Sequence, residues 1–291
     1  MNRLAEAWRG RGRVHVLGGR DIFVVDIPAG RPAVHPPLLI LHGFPTSSFD
    51  FHRVVDRMAE TRRVVLFDML GYGLSAKPDL AYHMGLQADV AMALVDALGW
   101  DRLGLLTHDV GDTVGGELLA RQLEGRFDVD IADRTLTNGS IYMDLAHLSA
   151  GQLFLLDLPD ERLAGDGAPE QATVVSGIRA TLSPATRPDE EEAVAQWQMM
   201  AHDDGHRLLP RLIRYVEERR RGESRFTGAI ERHPSPLTVV WGRDDPIADV
   251  AMTDRLRQAR PDSGFVVLDG VGHYPMVEAP DRFAAAVLGP G

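Results

Sequence analysis

The chain has no cysteine, so neither a disulfide framework nor thiol chemistry is available to it. Lysine occurs once, at Lys77, and arginine carries almost all other positive charge; the bias fits a GC-rich genome and implies no mechanism. No apolar run is long enough to span a bilayer, and the N-terminal MNRLAEAWRGRGR has no apolar h-region, so a soluble, cytoplasmic protein with no membrane partner is expected. Positive charge is also short overall: 31 Lys and Arg against 42 Asp and Glu leave a net charge of -11. Nucleic-acid phosphates would be repelled by such a balance. There is no internal repeat or low-complexity tract. The 291 residues suit one large domain or two small ones, and the absence of repeats favours a single core with one insertion.

What is present centres on LLTHDVGDTVGG, residues 105–116. An apolar strand, Leu103 to Leu106, runs into a turn carrying Asp109, and a helical pattern follows from Val114 to Gln122. Gly111 stands two positions after Asp109, where a strained strand-to-helix turn needs a small residue. Thr107 stands two positions before it, where glycine is usual. A turn of this kind presents a nucleophile, and here the nucleophile position holds a carboxylate. An ordinary aspartate is ionised at neutral pH and needs no base to activate it. It suits attack on an sp3 carbon with a strained or good leaving group, and the resulting alkyl ester must then be hydrolysed by water. The alternative role for Asp109 is a plain helix N-cap.

Two later segments bear on that choice. LTVVWGRDDPI, Leu237 to Ile247, is an apolar strand ending at Gly242 with Asp245 three residues on; VVLDGVGHYP, Val266 to Pro275, is a strand followed by a glycine turn that presents His273. Nucleophile, acid and histidine thus occur in the chain order of a strand-edge hydrolase triad. Each lies just past a strand's C-terminal end, the edge at which open α/β sheets bind ligands. Asp244 is the rival acid beside Asp245, and Asp133 a third, placed before its strand rather than after it.

Elsewhere, Arg13–Leu17 and Ile22–Ile27 read as a hairpin turned at Gly18-Gly19. Strands follow at Leu38–Leu41 and Val64–Phe67, helices at about Gly85–Leu98 and Val114–Leu123, and a strand at Thr135–Thr137 ends at Asn138. From there to about His233 the pattern is helical and loop-rich, broken at Pro159, Pro169, Pro184 and Pro188. Pro188 with Asp189 to Glu192 reads as a helix start, proline in the first turn and acids on the positive dipole end.

The stretches HGFPTSSFDF, FDMLGYGLSAKP, LTHDVGDTVGGELLAR, LTNGSIY, TRPDEEE, WGRDDP and GHYPMVEAP resemble the α/β-hydrolases that include epoxide hydrolases, haloalkane dehalogenases and the mesoderm-specific transcript-like proteins. The last share the HGFPTSS, HDxGD and TRP segments. The resemblance covers roughly residues 36–285. It implies the α/β-hydrolase fold, a mostly parallel eight-stranded sheet flanked by helices: core residues 1–139 and 234–291, with a helical lid, 140–233, inserted between them. It implies an Asp109, His273 and Asp245 triad with no cofactor. The loop His42-Gly43-Phe44-Pro45 contributes an oxyanion-hole amide in this fold, so the N–H groups of Phe44 and Val110 are expected to face the developing negative oxygen. His42 shapes that loop without transferring protons.

The leaving group separates the readings. Haloalkane dehalogenases grip halide with a Trp after the nucleophile and an Asn after the His-Gly; this chain has Val110 and Phe44. A fluoroacetate-type enzyme has an arginine beside the nucleophile, and Val110 occupies that place. Epoxide hydrolases carry a ring-opening tyrosine in the second half of the lid, where Tyr215 lies. Tyr142 is the second candidate donor, and packing is the alternative role for both. Trp197 either packs the lid or lines a substrate pocket. His202, Asp203, Asp204 and His206 surround an Asp-Gly turn and present no fixed i, i+4 face, so no metal is expected. Glu217 to Arg221 reads as a solvated helix face. The expected function is hydrolysis of a small-molecule epoxide. A haloalkane dehalogenase is the rival enzyme, and a non-catalytic receptor or interaction protein on the same scaffold the rival from another class. The oligomeric state is not legible.

Overall fold

Leu38–Leu41 and Val64–Phe67 are fully buried four-residue strands, as continuous apolar runs must be when helices cover both faces of a sheet. In this computed structural model, which describes residues 1–186 and 190–289, they are β3 and β4 of an eight-stranded sheet. The others are β1 (Gly12–Leu17), β2 (Arg20–Ile27), β5 (Arg102–His108), β6 (Asp130–Thr137), β7 (Leu237–Gly242) and β8 (Gly264–Leu268). Their order is β1-β2-β4-β3-β5-β6-β7-β8. The β1/β2 and β2/β4 pairs are antiparallel and the rest parallel. Gly18 and Gly19 both take positive φ, 56° and 74°, as a tight hairpin turn requires. Alternate residues separate the faces. Leu39, Leu41, Val65 and Phe67 join one core with Val114 and Leu118, while Leu38, Ile40, Val64 and Leu66 join a second with Met58 and Phe283.

The helix after Asp109, here the elbow helix, spans Val110–Leu123 and so begins four residues before the sequence pattern places it. Its first turn carries Gly111, Asp112 and Thr113 and looks like a loop, yet all three are buried where the helix crosses β3. A Cβ at Gly111 would lie 2.5 Å from the Leu41 carbonyl oxygen and 2.7 Å from that of His42. Backbone cannot swing aside as a side chain can. Gly111→Ala is therefore expected to destabilise the fold by about 1–3 kcal/mol, the usual range for overpacking, seen as a lower urea midpoint at unchanged slope.

Between β6 and β7 lie the helices Ala150–Asp157, Gln171–Ala180, Glu190–Met200 and Tyr215–Arg232. The expected helix start at Pro188 and Asp189 lies outside the described residues. The last of these helices, here the return helix, comes back onto the sheet layer, where Phe226 backbone approaches Gly116 of the elbow helix. Among the described residues no helix is long and apolar enough to cross a membrane.

Candidate active site

The C-terminal ends of β3, β5, β6, β7 and β8, sheet neighbours in that order, bring together Phe44, Asp109, Asn138, Asp245 and His273. Asp109 sits at φ 51°, ψ -112°, a conformation that L-residues seldom adopt and that turns its side chain out of the strand-to-helix path. Gly43 permits the close approach of the neighbouring loop, since a Cβ there would lie 2.8 Å from that of Asp109. The Phe44 N–H donates to Asp109 Oδ2 at 2.8 Å. Oδ1 is buried and has no hydrogen-bond partner. The Val110 amide is not bonded to either carboxylate oxygen among the described residues. Thr107, in place of the usual glycine, donates its hydroxyl to Asp112 and ties β5 to the elbow helix.

His273 Nδ1 donates to Asp245 Oδ2 at 2.8 Å. The same oxygen accepts from Asn138 Nδ2 at 2.7 Å, while Oδ1 accepts from the Ile247 and Ala248 amides at 2.7 and 3.1 Å. Asp245 is thus held on both oxygens. Asp244 accepts instead from Ser183 Oγ at 3.0 Å, and Asp133, inside β6, pairs with Arg62. Burial pulls the imidazole of His273 towards neutrality, but the charge and hydrogen bond of Asp245 and the carboxylate of Asp109 outweigh it and lift its pKa to about 9. The Glu278 carboxylate holds the histidine loop from behind, accepting from the Gly272 and Tyr274 amides at 2.9 and 3.0 Å. His42 Nε2 accepts from the Met69 amide, so Nδ1 carries the proton and donates to the Gly43 carbonyl, both at 2.9 Å. With both nitrogens engaged, it shapes the loop.

Of the two tyrosines, only Tyr215 faces this group. Its ring lies 5.4 Å from that of Phe44, its hydroxyl accepts from Gln152 Nε2 at 3.3 Å, and it donates to no group among the described residues. Tyr142 is corrected as a donor candidate. The chain after Asn138 runs back along the return helix, so its hydroxyl is spent on Glu231 Oε1 at 2.7 Å and its ring stacks under Arg255. Trp197 packs against Val175, Ile178 and Ala193, against the main core that includes Phe44 and Tyr215, and against the ring of His206, while its neighbour Gln196, about 100° around the same helix, reaches Asp50 beside the oxyanion loop.

Arg219 is the residue that sequence reasoning missed. It falls in the charged run read as solvated, yet its side chain is 2% exposed. Nε donates to Thr113 Oγ1 at 2.7 Å and Nη2 to the Asp109 carbonyl at 3.1 Å. Nη2 also lies 3.8 Å from Asp109 Oδ1, and the guanidinium stands 4.9 Å from the Tyr215 ring centre. The available signal was spacing: Tyr215, Arg219, Phe226 and Ile230 lie on one helical face, buried together, so Arg219 stands on the apolar stripe.

A family model described as "Alpha/beta hydrolase family" matches residues 38–286. A protein named "Putative hydrolase LipZ" from Mycobacterium tuberculosis is 38% identical over 285 residues, covering 97% of this chain and 96% of that protein. The human "Mesoderm-specific transcript homolog protein" is 30% identical over 299 residues, covering 97% of this chain and 86% of that one. Among solved structures, an α/β-hydrolase fold protein from Burkholderia ambifaria superposes with a TM-score of 0.77 at 25% identity, covering 95% of this chain and 96% of that one. Sheet order, the strained turn at Asp109 and these matches agree, and the chain belongs to the Alpha/beta hydrolase family.

Proposed function

We propose that this protein opens small organic epoxides to vicinal diols through an alkyl ester on Asp109. One observation carries the reading: Asp109 Oδ2 accepts from the oxyanion-loop amide of Phe44 while Oδ1 stands bare. In an acyl-transfer enzyme that amide serves the substrate's own oxygen. Here it serves the nucleophile's second oxygen, as it must if the carbonyl later attacked by water belongs to the enzyme. Oδ1 bonds to an epoxide carbon, the ring C–O bond breaks, and Tyr215 gives its proton to the freed oxygen. His273, oriented by Asp245, then takes a proton from water, which attacks the Asp109 carboxyl carbon. Phe44 and Val110 amides stabilise the oxyanion. The ester C–O bond breaks, the diol leaves with the proton held by His273, and the proton left on the carboxyl restores Tyr215. The helices between β6 and β7 form the lid over this chemistry.

A single turnover in 18O-labelled water tests the route. The label should enter the carboxylate of Asp109, and the first diol should carry none. Label in the first diol would mean direct attack by water on the substrate, and halide release from haloalkanes with no diol from epoxides would make the protein a dehalogenase. Tyr215→Phe keeps the ring and removes the proton. Ester formation should slow by roughly 100-fold or more, the lower end of general acid catalysis, measured by quenched-flow mass spectrometry; an unchanged rate would place the donor elsewhere.

A further inference from the structure

We infer that Arg219 and Gln152 form a cradle for the phenolate of Tyr215, and that this cradle is what allows a buried tyrosine to give up its proton. The inference rests on the epoxide reading and adds to it two positioning residues that act through Tyr215.

The difficulty they answer is electrostatic. Burial and the nearby carboxylate of Asp109 both disfavour a phenolate at this position, and only Arg219 and Gln152 oppose them. Left to the first two influences, Tyr215 would be a poor acid. Gln152 donates into the hydroxyl oxygen, a bond that strengthens when the oxygen becomes an anion. It also leaves the O–H free to point at something else, and no described residue accepts it. Arg219 is held by the elbow and not by the tyrosine: its two hydrogen bonds run to Thr113 and to the Asp109 carbonyl. That places one immobile positive charge 3.8 Å from Asp109 Oδ1 and 4.9 Å from the tyrosine ring centre.

The reaction moves a negative charge between those two neighbours. Before attack it resides on the Asp109 carboxylate. Once the Oδ1–carbon bond has formed and the ring C–O bond has broken, the ring oxygen carries the proton of Tyr215 and the charge resides on the tyrosine oxygen. Arg219 is a counter-ion to both states and need not reorganise between them; it speeds the step to the extent that it favours the charge on the tyrosine oxygen over the charge on the Asp109 carboxylate. A buried guanidinium left without an anion would be costly; here the anion changes identity and the guanidinium keeps one throughout.

A structural role competes with this: Arg219 also braces the strained elbow through the Asp109 carbonyl. A double-mutant cycle separates the two. All variants carry His273→Gln so that ester hydrolysis is blocked, and the rate of ester formation with styrene oxide is followed by intact-protein mass. Arg219→Met should slow it by about 100-fold when Tyr215 is present, the scale of the general acid itself, and by less than about 3-fold in the Tyr215→Phe background. Arg219→Lys should restore at least about 10-fold of that loss, since a charge remains. Gln152→Leu should cost about 5-fold, the scale of the gain when a neutral hydrogen bond becomes one to an anion, again only when Tyr215 is present. Equal losses in both backgrounds overturn the inference. Should Arg219→Met fail to fold, the Gln152→Leu and Arg219→Lys cycles decide in the same way. No ester in the parent variant would sink the epoxide reading, and this inference with it; ester in the parent with additive losses would sink the inference alone.

Discussion

Asp109→Asn is expected to lower epoxide turnover by about 10,000-fold or more, the scale on which losing a covalent nucleophile is felt. The substitution isolates the chemistry because it changes little else. An amide has the shape of the carboxylate, asparagine tolerates positive φ better than most residues, and its oxygen still accepts from the Phe44 N–H that now holds Oδ2. What disappears is the unpartnered anionic oxygen, Oδ1. Arg219, 3.8 Å away, loses its counter-ion, so some loss of thermal stability should accompany the loss of rate. Circular dichroism should nonetheless show the native fold. Turnover of Asp109→Asn within about 10-fold of the parent would be too small a loss for a missing nucleophile and would overturn that role for Asp109, whose side chain makes no capping hydrogen bond to the elbow helix.

The parts of this architecture that were legible in sequence are those where one local rule has no competitor. β3 and β4 are short, wholly apolar runs bounded by turn residues, and two adjacent glycines leave little other than a hairpin between β1 and β2. Asp109, Asp245 and His273 stood out because each follows a strand in the order of a triad, and sheet order alone then brings those strand ends together. What was not legible depends on which way a helix is turned by its neighbours. The first turn of the elbow helix reads as polar loop, and only the crossing over β3 explains its burial. Trp197 and Gln196 are adjacent in sequence, yet the first packs against Val175 and Ile178 and the second reaches Asp50. Arg219 sits among charges, and nothing local distinguishes it from Arg220 or Arg221, which continue the run. Its burial follows from the stripe it shares with Tyr215 and Phe226, a pattern that composition masks because a guanidinium counts as surface until a buried partner is known.

His273→Gln is expected to leave a protein heavier by the mass of one epoxide after mixing, because attack by Asp109 needs no histidine while hydrolysis of the ester does. The hydrolytic step should slow by about 1,000-fold, within the range of general base catalysis. The parent enzyme, with this variant as its reference, tests the electrostatics. In the free enzyme burial lowers the pKa of His273, but Asp245 and Asp109 raise it to about 9, so the imidazole is protonated at neutral pH and useless as a base. Alkylation neutralises Asp109, removes one of the charges holding that proton, and lowers the pKa towards a value at which His273 can accept a proton from water. The pH profile of ester hydrolysis should therefore report a lower pKa than titration of the free enzyme. Stability carries the complementary signature. A group whose pKa rises on folding from 6.5 to about 9 stabilises the fold fully below pH 6.5 and loses that contribution as pH climbs through about 9. The stability gap between the parent and His273→Gln should be widest below pH 6.5 and close towards alkaline pH. A gap that stays constant across this window would mean that His273 is not the charged partner of Asp245 in the resting enzyme, and identical pKa values before and after alkylation would mean that Asp109 does not control it.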